Sequence, residues 1–252
     1  MSEAARAGGV VLREYFGQGL DTIEKSMASD FKTKADEESE AAVLAILEKA
    51  YPNYNIHSEE VGKINHGSEY EFVIDPMDGT NNFVLGLPNF TVAIALMRKD
   101  ETVAAVVYAP MIDHLYYTEK GKGAFLNEQQ LHVSSEKDFR RATVAHTCLY
   151  EAPRDLQSKI FREFYMGGGK RMLANWSPQY DLCMIAAGKV EGMIANGSQI
   201  YDFAAGKLLC KEAGAQVTDH QGTQEENDRN SEFLISNTEE INKFLQQVVS
   251  KI

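Results

Sequence analysis

Within one short run, Ile74-Asp75-Pro76-Met77-Asp78-Gly79-Thr80-Asn81-Asn82-Phe83, the chain gathers two carboxylates, a hydroxyl, a proline and a glycine. Asp75 and Asp78, with the backbone carbonyl of Met77 between them, are hard oxygen donors of the kind Mg²⁺ takes while keeping waters that a phosphate can displace. Pro76 fixes φ, and Gly79 supplies backbone freedom and lets a ligand approach the chain closely. The two acids can then converge on one place, so the run reads as a metal and phosphate site. The residues before it, Glu69 to Ile74, alternate polar and apolar and then turn wholly apolar, which predicts a strand entering a core with the acids where it ends.

Asp-Pro followed by Asp-Gly is also ordinary turn chemistry. An EF-hand loop is excluded, because with Gly79 at the sixth position the first would be Ile74, which offers no side-chain oxygen. The metal reading gains from two further segments. Upstream, His57-Ser58-Glu59-Glu60-Val61-Gly62 carries an acidic pair, and downstream Tyr201-Asp202-Phe203-Ala204-Ala205-Gly206 adds another acid.

These segments resemble the inositol monophosphatase family, within the lithium-sensitive, magnesium-dependent phosphatases that also include fructose-1,6-bisphosphatase. The family signature Asp-Pro-x-Asp-Gly-Thr-x-Asn-Phe is matched at every fixed position by residues 75 to 83. Of the second signature, Trp-Asp-x-Ala-Ala-Gly, Asp202 to Gly206 fit and Tyr201 replaces the Trp. Glu59-Glu60 and Thr33-Lys34-Ala35-Asp36 fall in the expected order, and the resemblance covers nearly the whole chain.

The resemblance implies a Mg²⁺-dependent, lithium-sensitive phosphomonoesterase that hydrolyses small phosphorylated metabolites by attack of a metal-activated water, and it makes a homodimer the first expectation. Carried over residue by residue, Glu59, Asp75 and the Met77 carbonyl would hold one Mg²⁺, while Asp75, Asp78 and Asp202 would hold a second. The family often shows a third, weaker ion, which Glu59 with Glu60 nearby could support, although Glu60 by itself reads as a solvated carboxylate. Thr80 would relay a proton from metal-bound water towards Asp36. Each has a plainer alternative: Thr80 could cap a helix running from Asn81, and Asp36 could be the N-cap of the helix after it. Gly79, Thr80 and Asn81 would meet the phosphate, the first two through backbone N–H groups if a helix begins there. Lys25 falls where the family often has a lysine near the metals, and a surface lysine is its alternative.

Where the chain departs from the family, the substrate comes into question. Inositol-specific members carry a ring-binding glutamate seven residues before the second-signature aspartate, and here that substrate-pocket position is Ala195. Trp176 and Pro178 should reshape the leaving-group pocket, unless Trp176 is a core anchor. Fructose-1,6-bisphosphate, an adenosine bisphosphate and NADP(H) are therefore alternative substrates. A non-catalytic, phosphate-responsive interaction protein is the alternative of another class.

Composition fits a small-molecule enzyme. A chain of 252 residues can bury a sizeable core. A net charge of −12 argues against nucleic acid as the main partner. It would also repel an anionic substrate, unless the acids first gather Mg²⁺ and make the site itself electropositive. No stretch approaches a membrane helix or a signal-peptide apolar block, so the expected location is cytoplasmic. Cys148, Cys183 and Cys210 form no Cys-x-x-Cys pair and are expected as buried thiols.

Periodicity predicts a helix over residues 1 to about 27 and another over 37–51, stopped by Pro52. Strands follow over 90–98 and 102–109, then a hairpin over 115–118 and 123–126. Residues 1–138 thus form an α+β half with an antiparallel sheet, expected to carry most metal ligands. Residues 139–252 alternate: strand 142–148, helices 155–165 and 180–187, strand 190–195, a helix from Asp202 to Ala213, strands 215–218 and 232–235, and a closing helix over 238–249. That is an α/β half with a covered sheet. The resemblance implies a layered αβαβα sugar-phosphatase fold with the active site between the halves.

Overall fold

A computed structural model describes residues 1–18, 22–24, 31–149, 151–153 and 155–252. The chain begins as helix α1 (Ser2–Tyr15), followed by a short strand pair, β1 (Thr22–Glu24) and β2 (Phe31–Thr33), and by helix α2 (Lys34–Ala50). The helix expected over 1 to about 27 is therefore shorter, because beyond Tyr15 the chain turns at Gly17, whose φ is 79°. Helix α2 starts three residues earlier than its apolar pattern predicted. Its N-cap is Thr33, not Asp36, which sits in the first turn and closes a capping box with the Thr33 backbone.

Next come β3 (Asn55–Ser58), β4 (Gly62–Ile64), β5 (Tyr70–Asp78), the short helix α3 (Thr80–Val84), β6 (Thr91–Arg98), β7 (Glu101–Ala109), β8 (His114–Glu119), β9 (Ala124–Leu126) and β10 (Gln129–Gln130). Eight of these strands form one sheet in the order β10-β9-β8-β7-β6-β5-β3-β4. It is antiparallel except where β3 lies parallel to β5. Strand β5 runs through Asp75 and ends at Asp78, so the acids sit at the end of a strand as expected. It passes Pro76 because its pairing with β6 breaks between Asp75 and Asp78, and a bulge of that kind tolerates Pro76, which has no N–H for the ladder.

The second half supplies β11 (Thr143–Cys148), α4 (Leu156–Met166), β12 (Arg171–Leu173), α5 (Pro178–Ala186), β13 (Gly192–Asn196), α6 (Ala204–Glu212), β14 (Gln216–Thr218), β15 (Glu232–Ser236) and α7 (Glu239–Val249). Its sheet runs β12-β11-β13-β15-β14, with β12, β11 and β13 mutually parallel and β15 antiparallel to both its neighbours. Strand β12, too short to show a period, was not foreseen. The helix expected from Asp202 opens instead with a single 3-10 turn, Ile200–Asp202, before α6.

The layers are α, β, α, β, α. Helices α1 and α2 cover one face of the large sheet through Leu12, Val43, Leu47, Phe72, Ile74 and Tyr108. Helices α5 and α6 lie between the two sheets, where Leu182, Leu209 and Phe203 meet Val107 and Tyr116 on one side and Met193 and Phe233 on the other. Helices α4 and α7 close the outer face over Val144, Ile194 and Leu234. Cys183 and Cys210 are buried thiols as expected, while Cys148 is half-buried at the end of β11. Among the described residues, no helix is long and apolar enough to cross a membrane.

One buried ion pair anchors the helix that follows Asp202. Lys207 of α6 is 1% exposed and meets Glu225 at 3.0 Å, with Asn230 O at 2.7 Å, while its ammonium lies over the rings of Phe203 and Phe233. Burial lowers the Lys207 pKa to about 8, although Glu225 resists the shift. Breaking one side of such a pair strands the other charge, so Glu225→Gln should lower stability by about 3–5 kcal/mol in urea melts. A loss within experimental error would show that the ammonium is fully held by the carbonyls and rings.

Candidate active site

Helix α2 presents three polar groups on one face, spaced i, i+3 and i+4; two are tied to the acidic run and the third to the upstream turn that carries Glu59. Asp36 is fully buried; its Oδ2 accepts from the Thr33 N–H (2.7 Å) and Thr33 Oγ1 (2.8 Å), and its Oδ1 accepts from Thr80 Oγ1 (3.1 Å). Ser39 Oγ donates to the Pro76 carbonyl at 2.8 Å and holds the bulge. Glu40 is buried and accepts from the Ser58 hydroxyl and from the N–H groups of Glu60 and Val61, both at 3.2 Å, which fixes the turn carrying Glu59.

Asp75 accepts from the Met77 N–H at 3.0 Å, which bends the chain so that the two acids lie on either side of the bulge. Asp78 is held from both halves of the molecule. Its Oδ2 accepts from Thr91 Oγ1 (3.0 Å), Ser177 Oγ (2.5 Å) and the Tyr180 N–H (3.3 Å), and its Oδ1 from the Gln179 N–H (3.3 Å). The carboxylate thus meets the open first turn of α5, where unpaired N–H groups favour negative charge. Gly79 takes φ 97°, and a Cβ there would lie 2.8 Å from Asn89 O, so only glycine fits between the bulge and α3.

Gln179 was not anticipated and is the connector. Its side chain donates to Tyr201 O (2.6 Å) and accepts from the Gly206 N–H (2.8 Å), while its own N–H reaches Asp78. One buried amide therefore ties the second acidic segment to the first. Asp202, in the 3-10 turn, accepts from the Gln199 N–H at 2.8 Å. Tyr201, in place of the expected Trp, stands edge-on to His57.

Glu59, Asp75, Met77, Asp78 and Asp202 all line one cavity of about 800 Å³, and Gly79, Thr80 and Asn81 line it too. Asp36 stands behind Thr80, outside the lining. Two expectations change. Ala195 does not line the cavity; its methyl is fully buried in the core between the sheets, so that position makes no contact with what the cavity holds. Glu60 is not a solvated carboxylate but pairs with Lys32 at 2.7 Å with its side chain nearly buried. Trp176 is not a core anchor: it is 55% exposed, lines the cavity and has φ 54°. Lys25 lies outside the described residues.

A further acid, Asp181 of α5, also lines the cavity, is 3% exposed and accepts from Asn175 Nδ2 at 2.7 Å. The sequence offers no motif for it. Burial pushes Asp181 up to about 7, opposed by Asn175 and reinforced by the charge of Asp78. Burial likewise pushes Asp36 up to about 7, against the Thr33 hydrogen bonds and with help from Glu59 and Glu60. Asp78 rises to about 6 for the same first reason, its four donors pulling the other way.

The donor set is that of a hard divalent cation: carboxylate oxygens and one carbonyl, with no thiolate among them. Among the described residues, no three His, Cys, Asp or Glu side chains are already drawn to ligand spacing. The donors that hold Asp78 account for part of this, since three of them converge on Oδ2. Oδ1 carries only the longer Gln179 contact and keeps a lone pair for a cation.

The whole chain, residues 1–252, matches the model of the inositol monophosphatase family. It is 35% identical over 219 residues to a fructose-1,6-bisphosphatase/inositol-1-monophosphatase of Aquifex aeolicus, covering 85% of this chain and 82% of that one. It is 33% identical over 220 residues to a Nus factor SuhB of Haemophilus influenzae, covering 86% and 82%. The crystal structure of the extragenic suppressor protein suhB from Bartonella henselae superposes with a TM-score of 0.90 at 31% identity, over 98% of this chain and 96% of that one.

The raised carboxyls make the metal-free protein respond to pH in a definite direction. Asp36, Asp78 and Asp181 each hold a proton more tightly when folded than at their ordinary 3.8. The folded state therefore binds more protons than the unfolded state between about pH 4 and 7, and stability should rise as pH falls through that window. His146, held down to about 4 by burial, and His57, also lowered by burial, oppose this and reduce the net effect of the three carboxyls. In chelator, the melting temperature should be higher near pH 5.5 than near pH 7.5, and saturating divalent cation should flatten or reverse the difference. A higher melting temperature at pH 7.5 without metal would contradict the raised carboxyls.

Proposed function

The chain belongs to the inositol monophosphatase family, whose members are generally metal-dependent phosphomonoesterases, and from that premise we propose that it hydrolyses small phosphorylated metabolites with Mg²⁺ and with water activated through Thr80 and Asp36. The observation that carries the reading is the hydrogen bond from Thr80 Oγ1, on the cavity wall, to Asp36 Oδ1 buried behind it. Binding a phosphate alone would not require that pair.

Glu59, Asp75 and the Met77 carbonyl would hold one Mg²⁺; Asp75, Asp78 and Asp202 would hold a second. Such ions, when bound, neutralise the phosphate and lower the pKa of a coordinated water. The protein supplies placement and the path for the proton. Thr80 Oγ1 lies 3.1 Å from both Asp36 Oδ1 and Met77 O, and its single proton can serve only one of them fully. Directed at Asp36, the hydroxyl keeps its lone pairs towards the cavity, where they accept a hydrogen from the attacking water. Asp36, buried and lifted to about 7, is suited to take up a proton near neutral pH. The water oxygen forms the new bond to phosphorus as its proton passes towards Asp36, the bond to the ester oxygen breaks, and the released alkoxide takes a proton from solvent. The amides of Gly79 and Thr80, at the open start of α3, would orient the phosphate together with Asn81. Glu60, engaged with Lys32, is poorly placed to serve a third ion.

Relatives that carry the name Nus factor SuhB favour a second reading, an interaction role with or without catalysis. The buried Asp36–Thr80 pair weighs against a purely non-catalytic protein. A cytoplasmic homodimer is the proposed setting. Exposed Val84, Leu85 and Leu87 beside α3 provide apolar surface for a second copy.

The catalytic reading has a direct test. Phosphate release should require Mg²⁺ and be inhibited by Li⁺. Thr80→Ala and Asp36→Asn should each lower kcat by about 10²- to 10⁴-fold while Mg²⁺ affinity persists. Asp78→Asn should weaken Mg²⁺ binding and rate together. If Asp36→Asn lowers only the melting temperature, its capping of α2 is its whole role. Full activity of Asp78→Asn across a Mg²⁺ titration would remove that residue from the metal site.

A further inference from the structure

Neither of the two helices between the sheets caps its own start. Helix α5 has Ser177 at its N-cap and α6 has Phe203, and neither side chain accepts from the N–H groups of its own first turn. Those groups are met from elsewhere in the fold. The carboxylate of Asp78 accepts from the Gln179 and Tyr180 N–H groups at the start of α5, and Ser177 Oγ donates to the same carboxylate. Gln179 then does for α6 what Asp78 does for α5. Its Oε1 accepts from the N–H of Gly206, in the first turn of α6, at 2.8 Å, and the other end of the amide, Nε2, donates to Tyr201 O at 2.6 Å. The helices approach this closely because residue 206 is glycine: a Cβ there would collide with Leu182 and lie 2.9 Å from Gln179 Oε1.

The Tyr201 carbonyl belongs to the peptide that leads into Asp202. The N–H of that peptide donates to Gln199 O at 2.9 Å, and Asp202 Oδ2 accepts from the Gln199 N–H at 2.8 Å. The peptide plane from which Asp202 departs is therefore held at both edges, by Gln179 and by Gln199, and Gln179 alone of these two also bonds Asp78. Gln179 is 1% exposed and does not line the cavity, so its bonds are made inside the protein and not to a ligand.

We propose that Gln179 is a positioning residue for the cation that Asp78 and Asp202 share: its amide fixes where Asp202 stands relative to Asp78, and so favours a small ion of strict geometry. This rests on the metal assignment that accompanies the phosphomonoesterase reading, and it names what sets the spacing of the two acids. Asp75 and Asp78 are placed by the bulge of a single strand, whereas Asp202 arrives from the other half of the chain and needs a tie. Mg²⁺ demands a near-regular octahedron of oxygens at short distance, while Ca²⁺ accepts longer bonds and a flexible shell. An acid pair free to shift should therefore lose Mg²⁺ and keep Ca²⁺. A residue that only supports the fold would weaken both alike.

The test is isothermal titration calorimetry of the full chain with Mg²⁺ and with Ca²⁺, in the absence of substrate. Asp202→Asn identifies the binding event that belongs to the shared ion by weakening it. Gln179→Met keeps the length and bulk of the side chain and removes both of its hydrogen bonds. It should weaken Mg²⁺ in that event about ten- to a hundredfold, the range for groups that orient ligands from behind, and Ca²⁺ by less than about threefold. Gln179→Asn, whose amide is too short to span Tyr201 O and the Gly206 N–H together, should shift the ratio of the two affinities in the same direction, and it replaces the Met variant if that one does not fold. Glu225→Gln loosens α6 at Lys207 without touching the amide, and should leave the ratio unchanged. Unaltered Mg²⁺ binding in the Gln179 variants, an equal fall for both ions, or the same shift from Glu225→Gln each overturns the proposal. If Asp202→Asn weakens Mg²⁺ and the Gln179 variants do not, the positioning role alone fails. If Asp202→Asn leaves Mg²⁺ binding intact, the metal assignment of Asp202 fails and the proposal falls with it.

Discussion

A carboxylate taken out of water must be given donors or a cation, and the architecture around the cavity follows from how that demand is met. Asp36, Glu40, Asp78 and Asp181 are all buried, and apart from the local donors Thr33 and Asn175 their partners come from distant segments of the chain. Asp36 draws on Thr33 and Thr80, Glu40 on the turn after β3, Asp78 on β6 and the start of α5, and Asp181 on Asn175. Satisfying the acids and assembling the cavity are consequently one event. Without the second half of the fold, Asp78 would keep Thr91 as its sole side-chain donor among those described.

Helix α2 is the rigid side of this arrangement. Its apolar residues Val43 and Leu47 fix it against the large sheet, while Asp36 and Ser39 face the acidic run and Glu40 the Glu59 turn. The approach is close enough that a Cβ on Gly8 of α1 would lie 2.7 Å from Ser39 Oγ, so α1 presses α2 in place through a glycine. The i, i+3, i+4 spacing carries the geometry: three successive holds on Thr80, on the bulge and on the Glu59 turn leave little freedom for those groups to move apart. The capping and relay readings of Asp36 are likewise not rivals. One carboxylate oxygen serves the Thr33 cap, and the other serves Thr80.

The helices and strands with a strong apolar period were legible in the sequence, and so were the residues of the two acidic segments, because local spacing and the family resemblance both mark them. The losses share a physical origin. Strand β12 is too short to show a period, and the continuation of β5 through Pro76 depends on a bulge that only the pairing with β6 reveals. Gln179, Ser39 and Glu40 belong to no motif; their importance lies in partners 18 to 101 positions away along the chain, as between Glu40 and Ser58 or Gln179 and Asp78, while Asp181, whose donor Asn175 is six positions away, also falls in no motif. Ala195 was read from its alignment with a ligand-binding position. In a strand buried on both faces the side chain points wherever alternation sends it, and here it points into the core.

Two walls face each other across the cavity: the acids on one side, and on the other the ends of β11 and β13 with His146, Ser198 and Glu151. In a protein of net charge −12, clustered acids favour a cation and would repel an anion unless a cation is held first. Gln179 and the start of α5 lie between the walls and contact the acidic side directly. A ligand that presses on α5 therefore reaches Asp78 through hydrogen bonds already formed, without requiring the halves of the molecule to move as bodies.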